Sequence, residues 1–597
     1  MKEERASTIA HKRFMSAYDY NVKLGYYDKT TENENYVNGE QWTNVKSNGL
    51  PTPVFNIEKR IMDYKIAALS SQRVKAVYGI EGITQHGEVD PLEMTDEILT
   101  EIELGEVAKL MSGNAEVRWE KLKMDSKIRR WLRDGFVTGD MCAHVFWDET
   151  IKTGQKAKGD FVTERVHGGN VFFGNPNEPN PQKQPWIILL LRDTVDNTRA
   201  IAKKYGLKQR DIDLIGADDD TDTQVGKYGQ EEMDGDDSTQ KCNRYLMYYR
   251  KPDGKVCWTL ETKFVVIKEE TDTKLSRYPI AWGNWDEVEN CFHGKAECAE
   301  IHPNQRFINK MFAMCMVWFM YNSFGKVAFD ATKIEAWTNE IGVAIPVQGP
   351  VDGVVQQLSA GNFNSAVLMV IDYAIRYTKE MQGATDAALG QERADNTSAL
   401  IMMQKASALP LENQQARMYQ FVEDIFLIWA EFMASYYIVD RKIPVKDGDG
   451  NIVYKPFKAS DKDRLIMNAK IEVGASSYWS EISSIQTLDA LLQQNRITLI
   501  QYLERMPNGY ISGIKKLIEE QKAIAMAAPM PSEGVQTDAQ PQNGGQPPQG
   551  MPQAQLEAEA AFFDGLPPEV QQQLMMMPPE EMEMEIQAMM NGAPQQY

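Results

Sequence analysis

The side chains best suited to chemistry are Cys291, His293, Cys298 and His302, four zinc-ligand types within twelve residues. On a helix, Cys298 and His302 share a face at i and i+4. The spacing C-x-H-x4-C-x3-H matches no standard structural zinc pattern, and the cysteines adjoin an apolar helix where small buried thiols are common. The four are read as packed side chains, and neither a metal nor any other cofactor is expected. Two acidic segments invite a test for calcium. Asp211 to Asp237 holds eleven acids against one base, Lys227. An EF-hand loop needs Gly at its sixth position and Glu at its twelfth, and counted from Asp218 these are Thr223 and Gly229. Counted from Asp447, the sixth residue is Ile452. The first segment reads as a solvated loop and the second as a hairpin turn.

Enzyme signatures are missing. No Gly-Lys pair, Gly294-Lys295 and Gly325-Lys326 included, is followed by Ser or Thr, so there is no phosphate-binding loop. GxSxG, HExxH and a helix-opening GxGxxG are absent, and six histidines leave few candidates for a general base. No catalytic residue is assigned, and the chain is not expected to be an enzyme.

The elements that carry these residues follow from periodicity. Ile57, Ile61, Tyr64 and Ala68 mark one helix over Asn56–Ser71, and a second helical run covers about Met94–Phe136. Strands are expected at Cys142–Trp147, Asp160–Val166, Trp186–Leu191, Arg244–Tyr249 and Lys255–Lys268, with Asn170–Pro185 as a loop. Thr194–Gly206 reads as a short helix closed by glycine. A helix from about Lys295 to Gly325 is dense in Met, Phe, Trp and Tyr. Its 15 uncharged residues from Met311 to Gly325 fall short of a bilayer span, so it is read as buried between neighbouring subunits and the protein as soluble. Lys326–Phe363 is a mixed segment, with strand-like VAFD and GVAIPV around a helical TKIEAWTNE. A helix Ser365–Gln382 follows, then the loop Gly383–Asn396, then a long helical pattern Thr397–Tyr437 interrupted at Pro410. Lys442–Phe457 is a hairpin signature around Asp-Gly-Asp-Gly. Helices are expected over Ser484–Gln494, Leu499–Arg505 and onward to Ala527, before a Pro/Gly/Gln-rich stretch.

The net charge of −21 argues at first against contact with nucleic acid. It is unevenly spread: Ala523–Tyr597 has ten acids and no base, so the other 522 residues carry only −11. The body is mildly acidic, which excludes tight DNA binding but not DNA. Six cysteines without a CxxC pair give no disulfide framework, and the charged first residues show no signal peptide.

The order of elements resembles tailed-bacteriophage portal proteins, the head–tail connectors through which DNA is packaged. The likeness covers about residues 36–525. It rests on GEQW (Gly39–Trp42), on FNIEKRIMDYKIAALSSQRVKAVY read as a helix, and on the helix, compact segment, helix, loop and long-helix series Lys295–Tyr437. LGQERADNTSALIMMQKA is the closest local match. The resemblance implies an α+β, predominantly helical portal fold, assembled as a ring usually of twelve subunits. Carried onto this chain, 1–294 is the N-terminal wing, 295–325 a stem helix, 326–364 the clip and 365–383 the second stem helix. The tunnel loop is 384–396, the long wing helix and β-hairpin 397–483, the crown 484–527, and 528–597 an acidic, Met-rich tail.

The resemblance places Gln391, Glu392, Arg393 and Asn396 against passing double-stranded DNA. Lys333, Glu335, Trp337 and Glu340 fall at the terminase-docking clip, and Met311, Phe312, Trp318 and Phe319 at subunit interfaces. Implied partners are the terminase motor, major capsid and scaffolding proteins and head–tail adaptor proteins, with no membrane. The implied location is the capsid portal vertex of a virion assembled in the host cytoplasm. A tunnel loop of mixed charge suits DNA that must slide, because accumulated cation–phosphate contacts hold tightly. The competing readings are a DNA-packaging or DNA-processing enzyme (motor or nuclease) and another virion adaptor protein; the missing phosphate-binding loop counts against the first.

Overall fold

The unbroken apolar run Trp186–Leu191 dictates one layer of the fold. An antiparallel strand reads that way only when both of its faces are covered. The computed structural model describes residues 7–43, 45–71, 74–80, 96–218, 240–322, 326–336, 338, 343–358, 363–384, 409–437, 441–446, 452–457, 467–473, 488, 491–492, 496–505 and 518, and it supplies both covers. Residues 1–510 form one compact unit; of the second unit, 511–597, only Ile518 is among the described residues.

Strands β4 (Val171–Phe173), β5 (Trp186–Thr194), β6 (Lys241–Arg250), β7 (Val256–Glu261) and β8 (Val266–Asp272) form an antiparallel sheet in that order. Alternate residues point to opposite faces. Ile187, Leu189, Leu246 and Tyr248 share a core with Val195 and Ala202 of α6 (Val195–Lys204), beside the short α7 (Gln209–Ile212). Ile188, Leu190, Tyr245 and Met247 pack against Ala10 and Phe14 of α1 (Ile9–Lys23), both fully buried. The side chain of Thr8 caps α1, and its hydroxyl also donates to the Thr262 carbonyl at 2.8 Å, which fixes the helix on the sheet.

The second layer holds the larger core. Strands β3 (Asp160–Arg165), β2 (Asp140–Asp148) and β9 (Ile280–Asn284) form a sheet in the order β3-β2-β9. Helices α4 (Asp96–Lys121), α5 (Met124–Thr138) and the long helix Glu412–Tyr436 pack around it, burying Trp131, Phe136, Phe161, Phe421, Phe426 and Trp429 almost completely. Arg118 is buried here and ion-paired to Asp160 at 2.8 Å. Helix α2 (Tyr26–Asn38) lies against α5, and α3 (Ile57–Leu69) against α5 and α2. Strand β1 (Val74–Ile80) pairs with β14 (Met467–Val473), from Val74↔Val473 to Ile80↔Met467, and β12 (Arg441–Lys446) with β13 (Ile452–Phe457).

The hairpin at 442–457, the helix closed at Gly206 and the helix Leu499–Arg505 stand as the sequence predicts. Several expectations change. The run Met94–Phe136 is two helices, broken where Lys123 turns into the left-handed region at φ 52° and Trp119 Nε1 donates to Asp125. The helix expected through VKAVY stops at Ser70, and those residues become β1. Lys255–Lys268 splits into β7 and β8 around a turn in which the Thr262 amide donates to the Val265 carbonyl. Val171–Phe173, expected within a loop, is the edge strand β4. Pro410 sits in a 3-10 turn, Leu409–Leu411, that starts the long helix; residues 397–408 lie outside the described residues. So do most of the acidic loop (219–239), most of Ser484–Gln494 and the tail.

Candidate functional site

Helix α8 (Cys298–Asn322) buries residues along its first half and, past Asn309, only Cys315. Its buried polar residues explain the first half. Gln305 Oε1 accepts from the backbone N–H of Ile57 at 3.0 Å, and Gln305 Nε2 donates to the Phe55 carbonyl at 2.6 Å. Asn309 accepts from the Phe55 N–H at 3.2 Å and donates to Gln41 Oε1 at 2.6 Å. One face of α8 thus satisfies free amides at the start of α3, where a helix has no internal partners for them. Phe312 completes this join by stacking on Phe55, ring centroids 4.0 Å apart.

Beyond Phe312 the helix changes character. Met314, Met316, Phe319, Met320 and Tyr321 are all exposed, up to 66% for Met314. Helix α9 (Ala366–Met381) returns beside α8 and exposes Leu368, Met369, Val370, Tyr373, Tyr377 and Met381, the last at 81%. Trp318 and Phe319 meet Phe363, with ring centroids 4.9 and 5.2 Å away. Between the helices, β10 (Lys326–Phe329) and β11 (Val355–Leu358) form a two-stranded ribbon. VAFD is therefore a strand as expected, paired with Val355–Leu358, whereas GVAIPV, also expected to be strand-like, forms no strand over its described residues 343–347. TKIEAWTNE opens as a turn: Asp330 accepts from Thr332 N and Oγ1, and the Gln348 amide donates to the Lys333 carbonyl.

The end of α9 is a Schellman stop. The Gly383 amide donates to the Glu380 carbonyl and the Ala384 amide to that of Lys379, with Gly383 at φ +67°. A Cβ on Gly383 would lie 2.9 Å from Pro410, so glycine is required there both by conformation and by space.

Of the twelve site residues expected, Met311, Phe312 and Trp318 are half-buried on α8 and Phe319 is exposed beside them. Lys333 is 3.9 Å from Asp330, and Glu335 is exposed in the segment between β10 and β11. Trp337, Glu340, Gln391, Glu392, Arg393 and Asn396 lie outside the described residues.

The cysteine–histidine set is divided. His293 Nδ1 is 2.6 Å from Asp140 Oδ2, its Nε2 is 3.0 Å from Asn21 Oδ1, and its ring stacks on Tyr26. Asp140 also accepts from Tyr26, Asn284 and the Gly294 amide, so both ring nitrogens and the carboxylate are engaged within the body. Cys298 and His302 do share one face of α8, and a residue the sequence gave no reason to add, Glu58 of α3, joins them. Among the described residues this is the group of side chains able to hold a metal ion. No helix among the described residues is long and apolar enough to cross a membrane.

The model of one family, the phage P22-like portal proteins, matches residues 150–596, three quarters of the chain. The chain belongs to that family. It is thus a phage portal protein, a head–tail connector in DNA packaging, and the family is one of structural rather than catalytic virion proteins. The match takes in the hairpin α8–β10–β11–α9, the long helix and the five-stranded sheet of this portal, while α1 to α5 precede it. No curated protein matches the chain.

Proposed function

We propose that the chain assembles into a closed ring, usually of twelve copies, whose channel passes double-stranded DNA during packaging and ejection. In this reading α8 and α9 are the stem, 326–364 the clip, 384–396 the tunnel loop and 484–527 the crown. The observation that carries it is the exposed apolar surface on both helices of the hairpin. Two distinct faces, one on each helix, suit the head-to-tail contact that closes a ring. Met311, Trp318 and Phe319 would lie in that contact. Lys333, Glu335, Trp337 and Glu340 would meet terminase and head–tail adaptors, and the ring would sit at the capsid portal vertex beside major capsid and scaffolding proteins after assembly in the host cytoplasm. Negative-stain images of the recombinant protein test it: rings with a central hole are expected, and a uniform monomer overturns it. Gln391, Glu392, Arg393 and Asn396 would face DNA, so Arg393→Ala is expected to leave rings intact while packaged DNA is lost from particles. A variant that fails to assemble would make the loop a structural element instead.

A further inference from the structure

A buried carboxylate normally keeps its hydrogen bonds or a cation. Glu58 has neither in full: it is 0% exposed, and both of its carboxylate oxygens lack a hydrogen-bond partner. Facing it are Cys298, also 0% exposed, and His302, 6% exposed, whose Nε2 is 3.4 Å from Glu58 Oε1 and is itself without a hydrogen bond. Ligand atoms of the three residues all lie within 4.8 Å of one another. Cys298 and His302 are one turn apart on α8, and Glu58 reaches across from the first turn of α3, whose N–H groups are tied to Gln305 on the same helix. Tyr36 stacks on the His302 ring at 4.0 Å, and beside the group Lys65 of α3 is ion-paired to Glu297.

We propose that Glu58, Cys298 and His302 form a structural zinc site that clamps the root of α8 to α3. Thiolate, imidazole and carboxylate are a ligand set zinc accepts, with the fourth tetrahedral position left to a water. Tetrahedral bonds of about 2.0–2.3 Å put ligand atoms roughly 3.5 Å apart, so closure needs side-chain rotations of about an ångström. His293 and Asp140 take no part, because they are already bound to one another.

The test uses the full-length chain without a histidine tag, stripped by a chelator under reducing conditions and titrated with zinc chloride or cobalt chloride. About one zinc per chain by mass spectrometry is expected, with a thiolate-to-cobalt charge-transfer band. Removing outer partners of a zinc site costs about 10–100-fold in affinity, so losing a direct ligand in C298S, H302Q or E58Q is expected to cost more than a hundredfold. Zinc well below one per chain, a cobalt complex without a thiolate band, or undiminished binding by folded E58Q or H302Q overturns the site. Should C298S fail to fold, the wild-type cobalt spectrum and the other two variants decide.

Discussion

The five-stranded sheet and the α8–α9 hairpin are both rich in apolar residues and treat them in opposite ways. Every second residue of β5 finds α6 on one face, and the residues between find α1 on the other, so WIILLL is consumed within the chain. In the hairpin each helix can offer its neighbour only one stripe, and the remaining apolar stripes have no cover among the described residues. Equal hydrophobicity therefore has two meanings. In the body it stabilises the subunit; in the hairpin it stays exposed, where the proposed ring contact would use it.

Substitutions separate the two, and the largest effect belongs to the body. Trp429→Ala removes a fully buried ring whose Nε1 donates to Thr163 Oγ1, and is expected to cost about 3–5 kcal/mol in chemical unfolding. An unfolding curve within error of wild type would mean the body is not the cooperative core. Arg118→Met removes the closest cation of Asp160, which keeps the Tyr437 hydroxyl at 2.8 Å and the longer pairs to Lys121 and Arg441 at 3.7 and 3.9 Å, and about 1.5–3 kcal/mol is expected from the same measurement.

Asp424, on the long helix, gives a pH signature. Burial, opposed by Arg277 and aided by Glu423, pushes its carboxyl from 3.8 up to about 6. A folded-state value above the unfolded one means the folded form favours the protonated acid. The penalty is absent below about pH 4, grows as pH rises and is complete above about pH 6. Asp424→Asn is thus expected to gain about 1–3 kcal/mol at pH 8 and nothing at pH 3.5. Equal melting shifts at both pH values would remove the titration as the cause. Least of all, Met314→Glu with Met369→Glu should move subunit stability by no more than about 0.5 kcal/mol while abolishing higher oligomers in size-exclusion chromatography. Substantial unfolding of this variant would show that the hairpin surface serves the subunit after all.

What the sequence made legible was local. Asn56 and Thr194 cap helices where the patterns begin, and Asp-Gly-Asp-Gly marks the β12–β13 turn. Strands β1, β9 and β14 escaped because what defines them is a distant partner rather than a local period. Nothing local in helix α1 says that Phe14 covers a sheet more than 150 positions downstream. The candidate site divides likewise. Cys298 and His302 stood out by spacing, His293 was grouped with them by proximity alone, and Glu58 carried no signal because α3 meets α8 only in three dimensions.

The pairing of β1 with β14 also sets a schedule. Val74 must wait for a partner about 400 positions later, a closure with a substantial entropic cost, and until then β1 has only nearer contacts such as the Tyr78 amide on Ser112 of α4. Both hairpin helices leave the ribosome before that strand exists, as does every apolar residue they expose. The nascent chain thus passes through an interval in which its exposed apolar hairpin is complete and its body is still open, the state in which premature contacts form most readily. The length of that interval is written into the register of a two-stranded sheet.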